Sequence, residues 1–165
     1  MTPVPGCSPT RATERLDALR AEIAGFQSLC KVLNAEADAL RRADADALSV
    51  LSNAKLEQVN ALQALARQRS TDLKRSGWPE TTTGIEAWLA EAADPAAARA
   101  EWQRLTTLAL AAKRQNDVNG RLAARQRWHF DAALGALIQA AGVSGVYGAD
   151  GRATRGPMTR GHLAV

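Results

Sequence analysis

The sequence predicts an all-α protein, an elongated antiparallel bundle of three long helices followed by a flexible C-terminal tail. Three observations carry this expectation. Hydrophobic residues make up 46% of the 165 but aromatics only 4%, so the core must be assembled from alanine and leucine, which suits closely packed helices. The strand formers Val32, Val50, Val59 and Val118 stand singly, never in an alternating run. Apolar residues recur instead at spacings of three and four over long stretches.

The first twelve residues are Pro-rich and read as a disordered leader. From Thr13 to Arg42, the residues Leu16, Leu19, Ile23, Phe26, Cys30, Leu33, Ala37 and Leu40 trace an a/d heptad seam. Glu14, Arg15, Glu22, Gln27, Lys31 and Glu36 fill the other faces, and such a helix spans on the order of 44 Å. It needs a partner. RRADAD supplies the bend, since Asp44 or Asp46 can cap a second helix. That helix, residues 45–75, carries Leu48, Leu51, Leu56, Val59, Leu62, Leu65, Ala66 and Leu73, matches the first in length, and should fold back as an antiparallel hairpin.

SGWPETTTG over 76–84 is a loop, because Pro79 disfavours helical geometry at Trp78 and Gly77 marks a helix end. A short helix over 84–92 is expected next. Asp94 followed by Pro95 is a strong start signal, one capping and the other occupying the first helical position without a lost donor. The third long helix then runs over 95–140. Its stripe comprises Trp102, Leu105, Leu108, Ala112, Asn116, Asn119, Leu122, Phe130, Leu134, Leu137 and Ile138, interrupted by asparagines at the middle. Residues 141–165 turn Gly-rich, have no period that could bury a face, and read as a flexible tail.

Net charge is +4, and its placement matters more than its size. Residues 13–75 are nearly neutral, whereas residues 101–165 hold nine Lys and Arg against four Asp and Glu. A nucleic-acid reading of Arg121, Arg125 and Arg127 lacks stacking aromatics and a recognised motif. The N-terminal residues show no basic segment leading into an apolar run, and no uncharged stretch approaches the roughly 18 residues of a membrane span, which predicts a cytoplasmic protein. Cys7 and Cys30 suggest neither a metal site nor a disulfide framework. His129 and His162 lack a nucleophile or carboxylate constellation around them, and no P-loop, GxGxxG or HExxH is present. The sequence predicts no enzyme, no cofactor and no metal.

Within EWQRLTTLALAAKRQNDVNGRLAARQ, residues 101–126, Trp102, Leu105, Asn116 and the Asn119–Gly120 pair precede Tyr147 in VYGADG. The arrangement resembles the FlgN family of flagellar export chaperones, specifically over residues 101–151 and only in architecture over 13–75. Where the family has bulky apolar residues after Asn-Gly, this chain has Arg121, Leu122, Ala123 and Ala124. The resemblance implies a cytosolic chaperone that binds hook-filament junction (hook-associated) proteins and delivers them to the type III export gate. It places the docking of the gate's cytosolic domain on Tyr147.

A helix-in-groove grip on a client's terminal helix would use the large apolar residues Leu122, Phe130, Leu134, Leu137 and Ile138, unless these bury against the hairpin instead. Trp102, Asn116, Asn119 and Gly120 are either structural or client-binding. In the structural reading the amides fix helix register and glycine admits a close neighbour. The competing function is a coiled-coil adaptor or structural protein without a secretion role, for which the heptad seam alone would suffice.

Overall fold

A computed structural model of the chain describes residues 9–140, with no strand among them. Four helices follow one another: α1 (Pro9–Arg42), α2 (Ala45–Arg75), α3 (Thr82–Ala90) and α4 (Pro95–Ala140). Three are long and one is short, so the count is four. Helix α1 begins four residues before the expected Thr13, inside what the sequence suggested was leader, and α3 lies two residues earlier than expected.

The boundaries follow from local chemistry. Helix α1 ends in a Schellman motif, with Ala43 N–H bonded to the Leu40 carbonyl at 3.1 Å and Asp44 N–H to that of Ala39 at 3.0 Å. Ala43 pays for this with a left-handed φ of 53°. The next residue, Asp44, already caps α2, its carboxylate accepting from Ala47 N–H at 3.0 Å. The bend is therefore as short as two motifs sharing a residue allow. At the far end of α2 the same motif recurs, Gly77 N–H reaching Lys74 and Trp78 N–H reaching Leu73 at 3.0 Å each, and here glycine takes the left-handed position at φ 79°. Asp94 caps α4 through Ala96 and Ala97 N–H at 3.1 and 3.0 Å.

Helices α1 and α2 form an antiparallel hairpin whose register is written in polar pairs. Arg15 meets Asp72, Glu22 meets Arg69, Leu29 packs with Leu62, and Glu36 meets Lys55. On α1 these four are seven residues apart, one heptad position beside the a/d seam. The sequence placed Arg15, Glu22 and Glu36 on solvent faces; Arg15 and Glu22 are each only 3% exposed and Glu36 is half-buried. Burial is tolerable because both are saturated. Glu22 accepts from Arg69 Nε and Nη2 at 2.8 and 3.3 Å. Arg15 donates to Asp72, the Trp88 carbonyl and Ser76, pairs with Glu91 at 2.9 Å and lies 5.5 Å from the Trp88 ring centroid. Removing one partner of such a pair costs about 3–5 kcal/mol.

Helix α3 plugs the open end of the hairpin. Trp88 and Leu89 join Leu19, Ile23 and Leu73 in one buried cluster, and the Trp88 indole N–H donates to Asp72 at 2.7 Å. Its approach depends on Gly84, where an added Cβ would stand 2.0 Å from the Pro79 carbonyl oxygen.

Candidate protein-binding surfaces

Helix α4 does two different things along its length. Up to Ala123 it belongs to the compact unit and runs parallel to α1, Glu101 pairing with Arg20 and Asn119 reaching Leu33 and Glu36. Its backbone stands farther from the hairpin than α1 and α2 stand from each other, so side chains make the join. Ala98 and Leu105 enter the cluster around Trp88, and Ala112 packs with Leu29, Leu33 and Leu62. Trp102 is half-buried beneath the Arg69 guanidinium, 5.0 Å from its ring centroid.

Asn119 is the polar tie of that join. It is 2% exposed; its amide nitrogen donates to the Leu33 carbonyl and to Glu36 Oε2 at 2.8 Å each, and its oxygen accepts from Gln115 at 2.9 Å. Both polar atoms of the side-chain amide are thus engaged within the compact unit. Asn116 is exposed. At Gly120 nothing outside its own helical turn lies within 4 Å of where a Cβ would be, so no neighbouring helix accounts for a glycine that costs about 1 kcal/mol relative to alanine in a helix.

One surface escaped the sequence altogether. Because α4 stands off from α2, an apolar groove opens along the unit, floored by Phe26 and Leu29 and walled by Val59 and Ala109. Periodicity identifies which face of a helix is apolar, and cannot say that two such faces will be held too far apart to close.

Beyond Ala123, α4 behaves differently. Leu122, just before that point, is half-buried, whereas every residue from Arg127 to Ala140 is exposed. Phe130 and Leu137 are each 67% exposed, Leu134 57% and Ile138 45%. Phe130, Leu134, Leu137 and Ile138 fall at i, i+4, i+7 and i+8 and so form one exposed apolar stripe. Trp128 is also exposed, lies off that stripe by helical geometry, and packs edge-on to His129 with centroids 5.0 Å apart. Tyr147 lies outside the described residues, as does the rest of the 141–165 segment.

The model of the FlgN protein family matches residues 11–155, nearly the whole chain. The chain belongs to the FlgN family. Among solved structures, a flagella synthesis protein FlgN from Pseudomonas aeruginosa shares 28% sequence identity and superposes with a TM-score of 0.63, covering 72% of this chain and 89% of that one. None of the curated proteins matches the chain. Membership in the FlgN family implies a chaperone role in flagellar export. Among the described residues no helix is long and apolar enough to cross a membrane.

Proposed function

We propose that this FlgN-family chain binds hook-filament junction (hook-associated) proteins in the cytosol and delivers them to the type III export gate. The client's terminal amphipathic helix would be held on the stripe of Phe130, Leu134, Leu137 and Ile138. The observation that carries this reading is the exposure of that stripe on a continuous helix. A client helix that would otherwise assemble prematurely presents the complementary apolar face, and burying it needs no covalent chemistry or nucleotide. Leu122, half-buried in the chain itself, contributes less. Delivery falls to Tyr147, whose amphipathic ring suits a transient anchor on the gate's cytosolic domain.

The test is titration of a client's terminal segment into the chain and into the triple variant Phe130→Ala, Leu134→Ala, Leu137→Ala. These side chains are exposed, so helix content should be unchanged. Each contributes about 1–2 kcal/mol when covered, and affinity should fall at least 100-fold. An unaltered binding isotherm would remove the stripe from the function. Tyr147→Ala should weaken binding to the isolated gate domain and leave client affinity intact.

A further inference from the structure

The groove of the compact unit is a candidate interface in its own right. Two contiguous cavities compose it, of about 510 and 350 Å³. They share Phe26, Leu29, Val59 and Ala109, and on α4 they extend from Trp102 to Asn116, about 21 Å of helix. We propose that this groove docks a helix of about four turns from a partner protein, apolar on one face and acidic along one edge. The proposal does not rest on the role assigned to the Phe130–Ile138 stripe.

Shape argues for a helix. The groove is open to solvent along its length and bounded by two helices over a third, the arrangement in which a fourth helix completes a bundle. Midway along its α4 wall stand Ala109 and Ala112, small enough there for the 8–10 Å axial distance of close helix packing. At the lip Leu56 is 60% exposed and would be covered by an occupant.

Charge selects the occupant. The one carboxylate lining the cavities is Glu22, and it is spent on Arg69. Lys55 is held by Glu36. Lys113 lines the groove, is exposed, and makes no ion pair among the described residues, so the charge left to greet a ligand is positive.

The probe is a fluorescein-labelled 18-residue synthetic helix with leucine at its a and d positions and glutamate along one flank, compared by anisotropy with a lysine-flanked twin. The full chain should bind the glutamate version at least 10-fold more tightly. Leu56→Glu should weaken it at least 10-fold, and Lys113→Glu should abolish or reverse the preference between the two peptides. Both positions are exposed, and far-UV circular dichroism checks that the variants stay folded. The triple stripe variant should bind the peptide as the parent chain does. Absence of binding, equal binding of the two peptides, or loss only in the stripe variant would overturn the proposal. So would self-association that Leu56→Glu abolishes, since the occupant would then be a second copy.

Discussion

Replacing Asn119 by alanine tests whether one buried amide holds α4 to the hairpin. The substitution removes a bond to the Leu33 carbonyl and a charge-assisted bond to Glu36, both 2.8 Å long. Neither partner is orphaned: the carbonyl keeps its place in the α1 ladder, and Glu36 keeps Lys55. A neutral hydrogen bond contributes about 1 kcal/mol and one to a charged group about 1.5–3, so the loss should be roughly 2–4 kcal/mol. With a urea slope of about 2 kcal/mol/M for a domain of this size, the unfolding midpoint should fall by about 1–2 M.

Asn119→Asp sharpens the experiment. It keeps the volume but turns the donor into an acceptor facing the Leu33 carbonyl and the Glu36 carboxylate, and should cost more than the alanine at neutral pH. Burial and the neighbouring carboxylate both raise the folded-state pKa of the introduced acid above its unfolded value of about 3.9. Its penalty is therefore absent below that unfolded pKa and grows as pH rises toward and through the folded one. The aspartate variant should thus approach the alanine variant at about pH 4 and fall below it by pH 7. Alanine within 0.5 kcal/mol of the parent chain and a pH-independent aspartate would refute the tie.

Two glycines should respond in opposite directions to alanine. Gly84→Ala forces a Cβ onto the Pro79 carbonyl and should destabilise by more than about 2 kcal/mol, whereas Gly120→Ala meets open space and should stabilise by about 1 kcal/mol; chemical denaturation of both reads the contrast. If Gly120→Ala gains stability while losing client affinity, a partner's backbone crosses α4 there. Ala43→Gly should relieve the left-handed strain at the α1–α2 bend and raise stability by about 0.5–1 kcal/mol, net of glycine's larger entropy in the unfolded chain. A lowered melting temperature would count against that account.

Where local chemistry decides, the sequence was legible. Asp44, and Asp94 ahead of Pro95, mark helix starts by their own side chains, and the seam from Leu19 to Leu40 shows which face of α1 is inward. The buried charges were not legible, because a single helix read alone assigns every arginine and glutamate to water. The signal lay in two helices read together: 22, 29 and 36 descend α1 in the same steps of seven by which 69, 62 and 55 ascend α2, with opposite signs at the charged rungs. Gly120 was legible as unusual, and with no neighbour at its Cβ position the client-contacting alternative stays open. The exposed residues from Phe130 to Ile138 left two outcomes open, since the same leucines serve a core or a partner equally well, and only the distance between helices decides.

The ladder also bears on how the hairpin finds its alignment. A seam of leucine and alanine repeats itself every seven residues, so sliding α2 by one heptad would bury almost as much apolar surface as the native pairing. The polar rungs break that degeneracy. One such slip sets Arg69 against Arg15 and leaves Glu22 facing Leu62; the opposite slip turns Arg69 toward Leu29 and Glu36 toward Leu62. Each strands a buried charge at a cost of about 3–5 kcal/mol, enough to make the misaligned hairpin a population of well under one percent. In a chain whose core is chemically monotonous, ion pairs act as an alignment code.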